Sequence, residues 1–377
     1  LDKTLSPCVG ESEGMTIRAS KTLAPGTLRD RLIRLAELAT TPLLPSDYFD
    51  LVAPLRSGSA LRGRITAIHR ETADAVTVVI KPGRDWRPHT PGQYARIGID
   101  VNGVRQWRTY SLTSEVGSAD GCISITVKAI EGGTVSNHLV HHATVGTIVH
   151  LDYAAGDFTL GAEHPAKALF VTAGSGITPV MGMLRNAIDQ LEDVIVVHSA
   201  PTADDAIFGA ELRTLHRQGR ITLIERHTAT SGRLSIDELD MLVPDLAERE
   251  AWACGPAELL DGIEQRWTAL GIADQLHTER FRITPIVAGD GGTVTYERAG
   301  TTVESAGSES LLDAGESAGV LMPSGCRMGV CFGCVIPLRN GVVRDLRNGE
   351  ITSAAEGDGV LIQTCVSAAA GPCTLDV

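Results

Sequence analysis

Cys326, Cys331 and Cys334 stand in a C-x4-C-x2-C run, and Cys365 follows after 30 intervening residues. That spacing is expected of a plant-type [2Fe-2S] cluster, in which four thiolates converge on two irons and single electrons are carried. The loop between the first two cysteines, Arg327-Met328-Gly329-Val330, is short and holds a glycine, so its backbone amides can curl around sulfide. Zinc sites usually take paired C-x2-C spacings, and one such spacing is present. Cysteines buried independently as small hydrophobes would have no reason to gather three to one Gly-rich loop. Eight cysteines without a secretory leader point to cytosolic thiols that serve a metal rather than to disulfides.

A second set of residues suits anions and flat rings. Arg108-Thr109-Tyr110-Ser111 follows Pro91-Gly92-Gln93-Tyr94 on an expected strand. Alternation puts Arg108 and Tyr110 on one face, where a guanidinium can hold a phosphate and a phenol ring can stack on a cofactor. Gly132-Gly133-Thr134-Val135-Ser136 precedes a helix expected at 137–141, and such a start offers free N–H groups and a positive dipole end. Gly174-Ser175-Gly176-Ile177-Thr178-Pro179 comes straight after an apolar strand at 168–172 and before a helical run at 181–191. Glycines there let the backbone approach a pyrophosphate. The form is G-x-G-x-x-P, which departs from the standard dinucleotide fingerprint. No acidic residue stands about 20 residues on, since the next strand ends in His198-Ser199-Ala200. Cys254-Gly255-Pro256 puts a small thiol and a tight turn at the edge where such sheets bind ligands, with a plain core cysteine as the alternative.

Four segments must position these residues. Up to residue 59, Leu28, Leu32, Leu35, Ala36 and Ala39 recur at helical spacing, with Arg29, Arg31 and Arg34 on other faces. From 61 to about 160, short strands at 63–68, 75–80, 93–99, 109–113, 122–130 and 148–153 are broken by Gly and Pro, the pattern of a small barrel. From 167 to about 283, strands at 168–172, 194–198, 221–225 and 251–254 alternate with helical stretches, the pattern of a doubly wound parallel sheet. From Thr293 come two strands, a short helix around 310–318, the cysteine loop and further strands.

Composition bounds the partners. Of 377 residues 43% are apolar and 21% charged, and no 18-residue apolar run is present, so the chain is expected not to span a membrane. A formal net charge of -13 argues against nucleic acid, whose phosphates demand a basic face. From Asp290 onward eleven Asp and Glu face five Arg and no Lys, which fits an acidic carrier docking on a basic acceptor or simply a soluble acidic surface.

Taken in order, R-T-Y-S, G-G-T-V-S, G-S-G-I-T-P and C-G-P resemble the ferredoxin-NADP reductase superfamily, and from residue 61 onward the chain resembles its three-domain oxygenase and desaturase reductases. The stretch Leu43-Leu44-Pro45-Ser46-Asp47-Tyr48-Phe49 is similar to the extension of actinobacterial NADPH oxidoreductases that serve membrane acyl-CoA desaturases. The resemblance implies a multidomain α/β and β fold. Its parts are a helical extension (1–59), an antiparallel FAD-binding β-barrel (60–163), a doubly wound parallel NAD(P)-binding sheet (164–283), a linker (284–292) and a β-grasp [2Fe-2S] ferredoxin domain (293–377).

It further implies that Arg108 contacts the flavin pyrophosphate, Tyr110 packs on the isoalloxazine and Ser111 lies near flavin N5, with Thr109 and Lys128 in the same site. Gly133, Thr134 and Ser136 would help hold the FAD phosphates. Gly174, Ser175, Gly176, Thr178, Pro179 and Gly255 would lie along the nicotinamide dinucleotide, with Cys254 beside the nicotinamide. Glu279 and Phe281 would close the nucleotide domain against the flavin, so that Ser111, Cys254 and Glu279 are the expected catalytic residues. Ser199 and Arg233 are the expected grip on a 2'-phosphate, but 199–208 lacks a basic residue and offers Asp204 and Asp205, which leaves NADPH and NADH both open. The implied function is electron transfer from NAD(P)H through FAD and the cluster to a membrane-bound fatty acyl desaturase or other oxygenase, from the cytoplasm. The alternatives are a ring-hydroxylating oxygenase, steroid hydroxylase or P450 as acceptor, and, in another class, a redox-sensing iron-sulfur binding protein.

Overall fold

The computed structural model describes residues 52–377 except 59, 102, 162, 282–289, 326, 328, 330 and 331. The helix expected near residue 30, the Leu43–Phe49 extension, most of the linker, Cys326 and Cys331 lie outside the described residues.

Six antiparallel strands build the first sheet: β1 (Arg62–Thr72), β2 (Ala75–Pro82), β3 (Tyr94–Val101), β4 (Val104–Ser111), β5 (Ile123–Lys128) and β6 (Ile148–Leu151), in the order β4-β3-β6-β1-β2-β5. A bridge between Leu112 and Ile125, with Thr113 N–H donating to Ser124 O at 2.8 Å, joins the two outer strands and closes the barrel. Every second residue points inward, as a period of two requires: Val76, Val78 and Ile80 from β2, Ala95, Ile97 and Ile99 from β3, Ile123, Ile125 and Val127 from β5. Helix α1 (Thr134–His141) adds Val135, Leu139 and Val140 to the same core.

The second sheet is wholly parallel. Strands β7 (Lys167–Ala173), β8 (Asp193–Ala200), β9 (Thr222–His227), β10 (Glu250–Cys254) and β11 (Leu276–Glu279) lie in the order β11-β10-β7-β8-β9. Helices α2 (Ile177–Ala187), α3 (Gly209–Arg217), α4 (Thr228–Ser231), α5 (Ile236–Leu242) and α6 (Ala257–Leu270) connect them. Apolar residues fill both faces: Phe170 packs with Leu184 and Leu212 on one side, Leu169 and Val171 with Leu239 and Ile263 on the other. Phe158 and Leu160, just beyond the barrel strands, belong to the first of these cores.

The third sheet contains β12 (Gly292–Tyr296), β13 (Thr301–Ser305), β14 (Val335–Asp345), β15 (Ile351–Ala354) and β17 (Ser367–Leu375) in the order β13-β12-β17-β14-β15, with β16 (Leu361–Gln363) paired to β14. Strands β12 and β17 are parallel and the other pairs antiparallel. Helix α7 (Leu311–Ser317) is capped by Ser310, whose hydroxyl accepts from Asp313 N–H at 3.1 Å, and it packs Leu311 and Leu312 into the sheet's core.

This is the barrel, doubly wound sheet and mixed third sheet expected from the pattern, with two local differences. β4 starts at Val104, well before the expected 109, because a bidentate Arg105–Asp100 pair and a tight turn extend the polar end of the β3–β4 hairpin. β11 was not foreseen: its four residues, Leu-His-Thr-Glu, become a strand only by pairing with β10. No helix among the described residues is long and apolar enough to cross a membrane.

Pro54–Val377 forms one compact unit, and a buried indole helps tie the barrel to the parallel sheet within it. Trp252 is fully buried and donates from Nε1 to Thr159 O at 3.1 Å. Trp252→Phe removes that bond and part of the packing, so it should cost about 1–2 kcal/mol. Urea unfolding should show the lower midpoint with an unchanged slope, and an unaltered midpoint would refute this role.

Candidate functional site

A cavity of about 510 Å³ opens where the three sheets meet. The barrel contributes Arg108, Thr109, Tyr110, Ser111, Lys128, Gly133 and Ser136 to its wall, the parallel sheet contributes Ser175, Thr178, Glu279 and Phe281, and the third sheet contributes Ser310, Asp313, Arg327, Leu346 and Cys365.

On the barrel side, Arg108 is held by its own strand: Nη1 donates to Trp107 O at 2.8 Å, and no carboxylate among the described residues pairs with it. Burial, and then the positive charge of Arg327, pull its guanidinium below the ordinary value. An anion would relieve both effects. The hydroxyls of Thr109 and Ser111 are buried with no hydrogen-bond partner among the described residues. Burial pushes the Tyr110 phenol up, so it stays neutral. Lys128 reaches the cavity while paired to Asp74 at 2.7 Å. Helix α1 begins beside this wall without a side-chain cap. At Gly133 a β-carbon would stand 2.4 Å from Ser136 Oγ and 2.5 Å from Ile130 Cγ1, so those side chains would have to shift. The N–H groups starting at Thr134 have no side-chain cap, and a helix start of this kind favours anions.

On the parallel-sheet side, β7 runs into the turn Gly174–Gly176 and α2 starts at once, again without a side-chain cap. Gly174 has φ 56°, and Gly176 lies so near Cys254 that a β-carbon would stand 2.0 Å from its carbonyl oxygen. Thr178 Oγ1 donates to Ser175 O at 3.0 Å, and Pro179 occupies the first turn of α2, where its missing N–H costs nothing. Gly255 packs on Ala173. Across the carboxyl edge, strand register sets Glu279, Cys254, Thr172, His198 and Glu225 in one polar row. Cys254 is fully buried and does not border the cavity, and burial, then the Glu279 charge, push its thiol well up. Thr172 Oγ1 and His198 Nδ1 are 2.8 Å apart, and burial holds His198 down to about 4, so its imidazole is neutral. Burial pushes Glu279 up to about 8, and its Oε2 has no hydrogen-bond partner among the described residues.

The two residues expected to grip a 2'-phosphate stand apart in character. Ser199 Oγ is buried and without a hydrogen-bond partner among the described residues, whereas the exposed Arg233 is ion-paired with Glu258. Register places Arg226 beside Ser199, where it pairs with Glu238 at 3.0 Å. Sequence reasoning passed over Arg226, since adjacency across parallel strands leaves no mark in residue order.

On the third side, Cys334 and Cys365 are buried. Thr364 bonds Cys334 O through both its N–H, at 3.2 Å, and its hydroxyl, at 3.0 Å. Gly329 has φ 75°, and a β-carbon there would meet Arg347 Nη1 at 2.6 Å. Arg347 also feels the charges of Cys365 and Cys334, which raise its pKa after the larger effect of Asp345. No set of three metal-ligating side chains converges among the described residues, two of the four cysteines lying outside them. Arg327 escaped the sequence reading although it is the lone charge in the cysteine loop. Its φ is 61°, and it pairs with Asp313 at 2.8 Å and Glu316 at 2.5 Å while facing the cavity.

Comparison with known proteins agrees with this division. Residues 87–160 match the oxidoreductase FAD-binding domain family, 170–265 the oxidoreductase NAD-binding domain family, and 294–370 the 2Fe-2S iron-sulfur cluster binding domain family. An NADPH oxidoreductase of Mycobacterium tuberculosis is 47% identical over 355 residues, which cover 92% of this chain and 92% of the relative. The chain belongs to the ferredoxin-NADP reductase superfamily. The ferredoxin reductase component of a 3-ketosteroid-9-alpha-monooxygenase, also from Mycobacterium tuberculosis, is 30% identical to this reductase over 74% of its chain and 82% of the relative. Phthalate dioxygenase reductase shares the fold of the superfamily member described here, with a TM-score of 0.58 and 23% identity over 84% of this chain and 97% of that one. The reductase is an NAD(P)H-dependent oxidoreductase whose cofactors are FAD and a [2Fe-2S] cluster. Its residues fit them: Arg108, with no carboxylate pair among the described residues, two orphaned buried hydroxyls and the uncapped start of α1 suit a flavin dinucleotide, the uncapped start of α2 suits a nicotinamide dinucleotide, and buried cysteine thiols around a glycine cradle suit iron and sulfide.

Glu279 makes stability depend on pH in a definite direction. Between the ordinary carboxyl value of 4.5 and about 8, the folded chain keeps a proton that the unfolded chain releases. Its contribution is full below that window and falls as pH rises through it. Glu279→Gln should therefore match the wild type near about pH 4, below the window, and become relatively more stable near about pH 9. Urea midpoints of the cofactor-free proteins at both values provide the measurement, and identical pH profiles would refute the assignment.

Proposed function

We propose that this chain is the reductase component of an oxygenase system, passing electrons from NADPH to a terminal oxygenase, and that the acceptor is a membrane-bound fatty acyl desaturase met from the cytoplasmic side. One observation carries the reading: Tyr110 and Ser111, Ser175 and Thr178, and Cys365 border the same cavity. When bound, the groups supply one net reaction, in which NAD(P)H yields two electrons and a proton and two one-electron acceptors each take an electron.

The chain's own residues orient and screen. Arg108 neutralises the flavin pyrophosphate together with the N–H groups at the start of α1, around Gly133, Thr134 and Ser136. Lys128 and Thr109 would complete that wall, Tyr110 would pack against the isoalloxazine, and Ser111 would offer it a hydroxyl. Gly174, Ser175, Gly176, Thr178 and Pro179 shape the opening of α2 along the nicotinamide dinucleotide, and Gly255 keeps the adjacent turn close to Ala173. Glu279 and Phe281 close the site, and a protonated Glu279 adds no negative charge beside a flavin receiving electrons. Cys254, beneath this edge, shapes the nicotinamide position through its backbone contact with Gly176. Cys326, Cys331, Cys334 and Cys365 hold the cluster. The working boundaries are 1–59, 60–163, 164–283, 284–292 and 293–377.

NADPH is favoured as donor by the name of the 47% identical relative and by Ser199 with Arg226 beside it. A steroid hydroxylase is the second acceptor class, favoured by the ketosteroid monooxygenase relative.

Anaerobic NADPH should bleach both flavin and cluster absorbance of the purified protein, and no bleaching by NADPH or NADH would overturn the reading. Cys331→Ser should abolish the cluster spectrum and cytochrome c reduction by more than about tenfold while keeping NADPH-to-ferricyanide turnover, because that dye accepts electrons from the flavin. Loss of both activities would mean that the two redox sites are not separable. Membranes containing an acyl desaturase should support NADPH-dependent desaturation with this chain, and failure there with success on a soluble steroid hydroxylase would transfer the assignment to the second acceptor.

A further inference from the structure

The segments that cradle the two reacting rings continue directly into one another's neighbours. Beyond Tyr110 and Ser111 the barrel chain runs through Leu112, Thr113, Ser114 and Val116. Beyond Ser175 and Thr178, α2 runs through Gly182, Arg185 and Asn186. These two continuations are bonded together. Val116 N–H donates to Asn186 Oδ1 at 2.7 Å, and Asn186 Nδ2 donates to Ser114 O at 3.1 Å and to Gly182 O of its own helix at 2.8 Å. Arg185 Nη1 donates to Thr113 O at 2.6 Å, while its other nitrogens hold Glu211 at 2.9 and 2.6 Å and its guanidinium lies 4.7 Å from the Phe208 ring centre. Gly182 brings the helix so near the barrel that a β-carbon would stand 2.4 Å from Leu112 O.

These contacts differ in what they fix. Glycine at 182 permits close approach but has no side chain to choose among orientations. Arg185 reaches the barrel through a long side chain and one bond. Asn186 has a short side chain, and one planar amide satisfies a donor and an acceptor on the barrel while its second N–H is anchored to the helix. An amide held at three points leaves neither sliding nor rotation free at that place.

We infer that Asn186 is a positioning residue for hydride transfer, setting the separation and angle between a nicotinamide laid on the start of α2 and a flavin laid on the end of β4. The inference rests on the function proposed above, in which the nicotinamide C4–H bond breaks and a flavin N5–H bond forms with the electron pair moving as hydride. The lever is short enough to matter. Asn186 lies about 12 Å along the helix from Thr178, at the usual rise per residue. A tilt of roughly 5° about the seam therefore shifts the nucleotide by about 1 Å, which at a reacting pair can cost up to about a hundredfold in rate.

The test uses the full-length holoprotein and NADPH, with a second batch of NADPH deuterated at the transferred position, in anaerobic stopped-flow at saturating nucleotide. For Asn186→Ala, flavin bleaching per bound FAD should slow by about tenfold, with the NADPH dissociation constant unchanged and an isotope effect that depends more steeply on temperature. The isosteric Asn186→Asp, which keeps the acceptor for Val116 but sets a carboxylate oxygen against Ser114 O and Gly182 O, should slow it at least as much and carries the test if the alanine variant does not retain FAD. Electron passage from chemically reduced flavin to the cluster should be unaltered in both. A rate per bound FAD equal to the wild type, or weaker NADPH binding with the saturating rate preserved, overturns the inference. Wild-type protein that neither NADPH nor NADH bleaches overturns the proposed function and this inference together, whereas a bleached wild type with unaltered variants overturns the inference alone.

Discussion

Helix α2 lies on the barrel backbone against backbone, with Gly182 facing the Leu112 carbonyl where any β-carbon would collide. A second approach of the same kind stands nearby: Gly92, at φ 97°, faces the carbonyl oxygen of Phe158 with Met183 above it. A closed antiparallel barrel and an open parallel sheet have no shared strand through which to pass rigidity, so this seam, together with the Trp252–Thr159 bond, is how one can orient the other. Close-packed interiors leave no slack between such surfaces. The cavity sits where it does because the end of β4 and the start of α2 leave the seam side by side.

Electrostatic pairing separates the structural charges from those kept for a ligand. Arg249 is nearly buried and holds Asp193 and Asp245, each at 2.8 Å. Arg213 grips Glu225 at 2.9 and 2.7 Å. Arg108 has no such carboxylate, and the hydroxyls of Thr109, Ser111 and Ser199 are buried with no hydrogen-bond partner among the described residues. Other buried atoms, such as Trp267 Nε1 and Arg344 Nε, also lack partners among the described residues, but the hydroxyls of Thr109 and Ser111 belong to residues that line the cavity, where a ligand would supply the missing bonds.

The third sheet shows the same economy of charge. Arg298 and Arg339 meet Asp376, Arg327 meets Asp313 and Glu316, and Arg347 meets Asp345. Most of its positive charge is thus paired internally, and eleven Asp and Glu against five Arg from Asp290 onward leave this part of the chain acidic. The cysteine loop is held in left-handed backbone at Arg327, φ 61°, and Phe332, φ 56°, conformations that non-glycine residues adopt only where surrounding contacts enforce them. Cys365 borders the same cavity as Tyr110 and Ser111.

Residue order alone carried the chemistry that is local. The cysteine spacing, the glycines of 174–176, the R-T-Y-S string and the period-two apolar strands each express a constraint spanning a few residues, and these were legible because backbone geometry couples near neighbours directly. The β11 strand was not, because its four residues have no pattern until β10 pairs with them. Neither the polar row from Glu279 to Glu225, nor Arg226 beside Ser199, nor Asn186 across the seam from Val116 could be read in advance. Each joins positions far apart in the chain, and their meeting is set by strand register and by the fit of one packed surface to another. Three-dimensional packing therefore supplied the convergence of Tyr110, Thr178 and Cys365 on one cavity, since only folding converts sequence separation into distance.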